Sequence, residues 1–269
     1  NAFAEFTFVQ TKNVALDTPG IRGINFKPDG TRMYITNRFD DRKAYLIEYS
    51  LSKPFDISTA TISFTGGAPK GTALACDDAG DDDHMELPHA IEFKPDGTRM
   101  FVTTNKDFGS GKPGVAVFQF KLTTPWDSTT LVCEKIYEVA VNGSGAKEDN
   151  VRTLDFNPDG TRMFVGGSRR DKIRQYDLAT PFDLRSGVTP GGISDALDSF
   201  EDDMRDIQFN PDGTQMFLTG SERNSGLMQK FTLSTPYDIT TLSSTTETFS
   251  LISPSDSNLV NNLRGFIFA

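Results

Sequence analysis

The sequence predicts an all-β chain closed into a ring of four-stranded units, a β-propeller, and three observations carry that prediction. The stretch Phe156-Asn157-Pro158-Asp159-Gly160-Thr161-Arg162-Met163-Phe164-Val165 recurs at 26–35, at 93–102 and, with Gln215 in place of Arg, at 209–218; a fifth copy opens at Leu263 and stops at Phe268-Ala269. Aligned on the Phe, the copies lie 53 to 67 residues apart, and a strand-filled repeat of that size points to a propeller. A second signature follows each of the first four copies: Lys53-Pro54-Phe55-Asp56, Thr124-Pro125-Trp126-Asp127, Thr180-Pro181-Phe182-Asp183 and Thr235-Pro236-Tyr237-Asp238.

Each copy reads as a hairpin, because Pro pre-sets the backbone angle of a turn, Asp bonds back to its neighbours and Gly accepts left-handed geometry. The flanking runs are rich in β-branched, aromatic and Met residues, which favour strands. One domain, 1–269, is expected, with units at about 21–65, 88–140, 151–200 and 204–251. The expected strands are 21–26, 33–36, 45–51 and 61–65 in the first unit, then 90–93, 100–104, 115–122 and 131–140 in the second. The third has 151–156, 163–166, 173–178 and a weakly marked run near 193–200; the fourth has 205–209, 216–219, 227–233 and 245–251. Residues 5–14 read as an outer strand and 263–268 as an inner one, so both ends contribute to a fifth, closing blade, which removes an exposed sheet edge. Five blades are favoured, with a longer ring as the alternative. The chain opens on Asn1 rather than Met, which reads as a processed product or an excerpt of a longer chain.

The Thr-Pro-aromatic-Asp signature reads as architecture: Pro ends the third strand, the aromatic packs between sheets and Asp bonds backbone N–H groups of the turn. Together the two motifs resemble the β-propeller repeats named for a Tyr-Val-Thr-Asn motif, found in lactonase-like and surface-layer propellers; here Tyr34-Ile35-Thr36-Asn37 takes the motif's place. The form with Leu233-Ser234-Thr235-Pro236-Tyr237-Asp238 is similar to repeats in marine bacterial and phage fibre or surface proteins. This resemblance implies the fold; one fold hosts many activities.

A formal charge of −10 disfavours nucleic acid or an anionic membrane as partner, since phosphate attraction needs a basic surface. No apolar run reaches the roughly 18 residues of a bilayer span, so membrane insertion is not expected. Cys76, in a long loop, and Cys133, early in an outer strand, are placed at opposite ends of their blade. A buried free thiol is therefore expected for Cys133 rather than a disulfide. Asn142-Gly143-Ser144 is a formal glycosylation sequon, close to chance in a chain this long.

The face carrying the first-to-second and third-to-fourth strand turns is nearly identical in every unit and reads as structural. The opposite face holds irregular polar loops, 37–43, 105–113, 168–172 and 221–225, the usual seat of specificity. Four residues before each aligned Phe stand Arg22, His89, Arg152, Arg205 and Arg264, expected to converge at the channel mouth as a ligand-binding ring. The competing reading is an ion-pair belt with the nearby acids Asp17, Glu86, Glu148, Asp149, Glu201, Asp202, Asp203 and Asp256. In the acidic loop 76–89, Asp81, Asp83 and Glu86 are candidate Ca²⁺ ligands, although EF-hand spacing is absent; Zn²⁺ through His84 and His89 is the weaker option. No other cofactor is expected.

No nucleophile elbow or phosphate-binding loop is present in the sequence. The main expectation is a non-catalytic binding or adhesion propeller in an extracellular, cell-surface or virion fibre assembly, taking a glycan or protein on its irregular face. The alternative is a lactonase or glycosidase using channel carboxylates such as Glu86, Asp149 and Asp202, against which stands the lowering of carboxylate pKa by neighbouring Arg.

Overall fold

The computed structural model of the chain describes residues 20–38, 44–63, 72–74, 87–104, 115–139, 151–167, 172–195, 203–220, 227–250 and 265–267, with Val9, Lys12, Cys76, Met85, Leu197 and Phe200. Blade one comprises β1 (Ile21–Phe26), β2 (Arg32–Arg38), β3 (Ala44–Leu51) and β4 (Ala60–Ile62), with a two-residue strand, β5 (Thr72–Ala73), also paired to β3. Blade two is β6 (Pro88–Phe93), β7 (Arg99–Thr104), β8 (Ala116–Leu122) and β9 (Leu131–Glu138). Blade three is β10 (Val151–Phe156), β11 (Arg162–Gly167), β12 (Ile173–Leu178) and β13 (Val188–Ile193); blade four is β14 (Met204–Phe209), β15 (Gln215–Gly220), β16 (Leu227–Leu233) and β17 (Leu242–Ser250). Every pairing is antiparallel, and the inner strands β1, β6, β10 and β14 neighbour one another in that order, so four blades ring a common axis.

Residues 265–267 lie beside both ends of this series. The Phe266 N–H donates to Asp206 Oδ2 at 2.8 Å, and Gly265 approaches Ile24 so closely that a Cβ would sit 3.2 Å from its Cγ2. The segment thus stands between β14 and β1, where an inner strand of a closing blade was expected. Of the expected N-terminal strand only Val9 and Lys12 are described; Val9 is exposed, and Lys12 Nζ donates to Ala60 O on β4.

The core lies between blades. Tyr34 and Leu46 of blade one pack with Ile91, Phe93, Met100 and Trp126 of blade two; Phe101 and Val117 meet Leu154, Met163 and Phe182; Phe164 and Ile173 meet Ile207, Phe209 and Met216. A middle strand is therefore covered on both faces, and β7, β11 and β15 are buried from their second residue on. That is why these segments read as continuous apolar runs rather than alternating ones.

The two sequence signatures build one lock. Phe55, Trp126, Phe182 and Tyr237 all hold positive φ, between 53° and 65°, a region that costs a bulky side chain on the order of 1–3 kcal/mol. Each aromatic N–H donates to the carbonyl of the turn glycine in its own blade, Gly30, Gly97, Gly160 or Gly213, at 2.9–3.1 Å. Each ring lies on that glycine: a Cβ on Gly160 would come within 2.0 Å of Phe182 Cδ2. Glycine is thus required twice over, by its φ of 71° and by the ring above it. The turn Asp is fixed in the same pattern, Asp159 Oδ1 accepting from Thr161 N at 2.9 Å and Thr161 Oγ1 at 2.6 Å.

The aromatic carbonyl of one blade is then gripped by the preceding blade. Arg32, Arg99 and Arg162 donate to Trp126 O, Phe182 O and Tyr237 O at 2.7, 2.9 and 2.9 Å. The repeat's Arg is therefore an inter-blade clamp, and its replacement by Gln215 falls in the last complete blade.

Two expectations are corrected. The fourth strand of blade three is β13, not a run near 193–200. Pro190, Gly191 and Gly192 disguise it, but Pro is tolerated on an outermost strand at a bulge, here between Gln175 and Tyr176. The glycines admit close neighbours, with Cβ positions 2.7 Å from Asp177 Oδ2 and Thr240 Cγ2. The second correction is a disulfide between Cys76 and Cys133, whose Cα atoms are 5.1 Å apart. Beyond β5, Leu74 and Met85 bond to Ala44 on β3, and Leu74, Cys76 and Met85 join the core shared by blades one and two, against which Cys133 of β9 packs.

Gly160→Ala is expected to destabilise the fold by about 2–4 kcal/mol through strain and overlap with Phe182; a urea midpoint equal to that of the parent protein would contradict the lock. Closing a loop across a separation of 57 residues corresponds to about 4 kcal/mol in the chain-entropy model. Denatured, unreduced protein should show no free thiol, and Cys133→Ser should melt well below the parent. Detection of two thiols would refute the bond.

Candidate active site in the central channel

In the first four copies a polar residue interrupts the apolar run immediately before the aligned Phe: Asn25, Glu92, Asp155 and Gln208. The inner strands turn these residues toward the axis. Glu92 receives Asn25 Nδ2 on Oε2 at 3.1 Å and Gln208 Nε2 on Oε1 at 3.0 Å. Because β6 and β14 are not neighbours in the ring, the Gln208 contact spans the channel. Asn25 Nδ2 also reaches Ile91 O at 3.1 Å, tying β1 to β6.

Asp155 and Asp206 are bound differently. Asp155 Oδ1 accepts from Phe156 N and Oδ2 from Phe209 N, both at 2.7 Å, so the carboxyl joins β10 to β14. Asp206 Oδ1 accepts from Ile207 N at 3.0 Å and Oδ2 from Phe266 N at 2.8 Å. Glu92, held by side-chain amides, keeps partial exposure along the channel, whereas Asp155 and Asp206 are buried.

Burial raises all three carboxyls, since removing water penalises the charged form. Glu92 is raised well above the usual range by burial first and by the charges of Asp155 and Asp206 second, against the amide bonds that lower it. Asp155 is pushed up to about 7 by burial, opposed by the Phe209 and Phe156 N–H groups. Asp206 is also raised well above its ordinary value by burial, the Phe266 N–H opposing and the Asp155 charge adding. The axis thus gathers three carboxyls whose proton affinity burial raises, Asp155 to about 7, an arrangement suited to acid–base chemistry.

Arg22, His89, Arg152 and Arg205 occupy equivalent places, each inside the register shift of its inner strand: 21/24, 88/91, 151/153 and 204/206. A bulge re-aims a side chain, and Thr36 Oγ1 and Thr103 Oγ1 accept the bulge N–H groups of Gly23 and Ala90 at 2.8 and 3.0 Å. Arg152 and Arg205 are brought together on one carboxylate: Asp203 Oδ1 pairs with Arg152 and Oδ2 with Arg205 Nη2. These side chains are 8–15% exposed, and the pair ties blade three to blade four. His89 is buried, and its carbonyl accepts from Thr36 Oγ1 at 2.9 Å.

Arg264, the acids Glu86, Asp149 and Asp202, and the metal candidates Asp81 and Asp83 lie outside the described residues, as does His84. Among the described residues no group of three or more His, Cys, Asp or Glu could hold a metal ion. Glu92, Asp155 and Asp206 were missed by the sequence reading. For Glu92 and Asp155 the signal was a polar residue between apolar neighbours immediately before the aligned Phe in the first four copies; Asp206, whose counterparts are Gly23, Ala90 and Thr153, carried no repeated signal.

No family model and no curated protein matches the sequence. Solved structures do. The β-propeller domain of Cps50 (Swd1) from Myceliophteria thermophila has a TM-score of 0.50 at 10% identity, covering 86% of this chain and 60% of that one. A periplasmic gluconolactonase from Pseudomonas aeruginosa gives 0.47 at 14%, with 86% and 57% covered. A candidate 6-phosphogluconolactonase from Bacteroides uniformis gives 0.49 at 12%, with 86% and 55% covered. This chain spans less than two thirds of each of them, and the likeness is one of fold, the β-propeller. The expectation of a non-catalytic adhesion propeller is corrected: the solved propellers of like fold that are named as enzymes are lactonases.

A folded-state pKa raised above the unfolded one contributes stability that is present at low pH and lost as pH rises through the folded value. For Asp155 the loss runs from about pH 4 to about 7. Asp29 is lowered to about 2 by its bonds from Lys27 and Thr31, so its contribution runs the other way and fades as pH falls below about 4. Thermal melts should therefore peak in the mildly acidic range, and Asp155→Asn should flatten the decline toward pH 8. An unchanged slope in that variant would remove Asp155 from the explanation.

Proposed function

We propose that the channel is the active site of a hydrolase acting on a cyclic ester, with a glycoside as the second substrate class to be assayed. The gathering of Glu92, Asp155 and Asp206 at the axis, each with its proton affinity raised by burial, is the single observation that carries this reading. We further infer that the repeat is of the Tyr-Val-Thr-Asn type, on the motifs at 34–37 and 233–238. The Cys76–Cys133 disulfide supports residence in an oxidising compartment outside the cytoplasm.

In the proposed reaction Asp155, titrating near neutrality, takes a proton from a water as its oxygen adds to the ester carbonyl. The ring C–O bond then breaks, and the protonated Glu92 carboxyl delivers its proton to the departing alkoxide oxygen. Water's oxygen ends in the new carboxyl group and the ring oxygen in a hydroxyl. Return of the proton from Asp155 to Glu92 restores the starting state. Asn25 and Gln208 orient Glu92, and Arg22, the counterpart in blade one of the Asp203-bound Arg152 and Arg205, would receive an anionic substituent on the substrate.

The test is a panel of sugar lactones and aryl glycosides, with pH–rate profiles. Glu92→Gln, which keeps the side chain's shape and one acceptor oxygen while removing the transferable proton, should lower kcat by 10²–10⁴-fold while the melt stays within a few degrees. Asp155→Asn should abolish the acid limb of the profile. Turnover unchanged in both variants, or none on any lactone or glycoside, would sink the proposal.

A further inference from the structure

The blade interfaces repeat, so each serves as a reference for the others. Between blades two and three, Arg99 donates to Phe182 O at 2.9 Å, Glu134 Oε2 at 3.1 Å and Asp183 Oδ2 at 3.1 Å. A second guanidinium, that of Arg185, lies across the same carboxylates. Its Nε and Nη2 reach Asp183 at 2.9 and 2.8 Å, and its Nη1 reaches Glu134 Oε1 at 3.0 Å. Gln119 completes the arrangement, its Oε1 accepting from Leu184 N at 2.6 Å. Two guanidinium groups and two carboxylates leave the cluster neutral.

Between blades one and two the clamp is the same. Arg32 donates to Trp126 O and Glu48 Oε1, both at 2.7 Å, and Glu48 Oε2 takes the place of the Gln119 amide, accepting from Ser128 N at 3.1 Å. The residue two beyond the turn Asp is Arg185 in blade three but Thr129 in blade two. Where the second guanidinium would lie, a cavity of about 270 Å³ opens, lined by Arg32, Glu48, Ser50, Ser63, Asp127 and Thr129. Two carboxylates face one guanidinium, an excess of one negative charge. Ser50 Oγ and Ser63 Oγ stand 2.6 Å apart at its edge and offer further acceptors. Between blades three and four the corresponding space is shut, because Gly192 on β13 lies against Thr240, the counterpart of Thr129.

We propose that this cavity is a binding site for a ligand carrying a guanidinium group, an arginine side chain or a small alkylguanidine, which takes the place Arg185 fills in the next interface. The planar fork of a guanidinium matches carboxylate and hydroxyl acceptors spread across a cleft, and its charge neutralises the excess. The site lies on the turn face, at the end of the blades where the motifs repeat most closely, and is separate from the channel. It departs from the repeat at Glu48, where blades two and three carry Gln119 and Gln175, and it keeps at Thr129 the hydroxyl residue that Ser58 and Thr240 also supply, Arg185 being the exception.

The experiment titrates the full chain with ethylguanidinium chloride by calorimetry at matched ionic strength, with ethylurea as the uncharged analogue of similar shape. N-acetyl-arginine amide is the second probe; binding of both assigns an arginine side chain, and binding of ethylguanidinium alone assigns a small alkylguanidine. Saturable binding is expected for the charged probe, with ethylurea at least tenfold weaker. Glu48→Gln should weaken it at least tenfold while keeping the shape of the pocket. Thr129→Arg should fill the cavity with the protein's own guanidinium, abolish binding and raise the melting temperature. No saturable binding by the parent protein, equal binding of ethylurea, or undiminished binding in either variant overturns the proposal.

Discussion

The structure depends on an aromatic residue held in left-handed backbone conformation over a glycine. Phe55, Trp126, Phe182 and Tyr237 accept that strain because three gains attach to it: a backbone bond to the glycine carbonyl, a ring packed against two strands, and a carbonyl turned outward. That last carbonyl lets Arg32, Arg99 and Arg162 reach across to the next blade. A local turn and a long-range clamp are therefore the same feature. Phe55 of blade one is 36% exposed, against 9% for Trp126 and 6% for Phe182, so burial of the ring follows the presence of a preceding blade.

Drawing the inner strands together gathers the carboxyls Glu92, Asp155 and Asp206 at the axis. Asp155 and Asp206 offset part of the cost by accepting two backbone N–H groups each, which also stitches neighbouring inner strands. Glu92 lacks that backbone anchorage and lies between the amides of Asn25 and Gln208. Burial raises the proton affinity of all three carboxyls, because removing water penalises the charged form. Arg152, Asp203 and Arg205 solve the same problem by pairing, because there the opposite charges lie within reach.

Departures from the repeat carry as much information as its regularity. Gln215 replaces the clamp Arg in the last complete blade. Arg185 turns one interface into a closed four-charge cluster, whereas Thr129, the repeat's usual kind of residue there, leaves the neighbouring interface open. Gly191 and Gly192 let β13 come close to its neighbours where a Cβ would collide. Each departure changes what one interface can hold while leaving the lock untouched.

The sequence by itself determined the strands, their hairpin turns and the ring, because Pro-Asp-Gly-Thr and Thr-Pro-aromatic-Asp act through local backbone geometry and recur in phase. It also exposed the bulge positions 22, 89, 152 and 205, which any alignment of the copies reveals. Only tertiary structure decided which polar residues meet. Glu92 and Gln208 are 116 positions apart and touch because two blades face each other across an axis. Cys76 reaches Cys133 because both pack at a core formed by two blades. The strand β13 was hidden because its Pro and Gly are explained only by the neighbours against which they lie. Periodicity encodes the repeated unit; charge, proximity and burial arise between units, where no single window of sequence contains both partners.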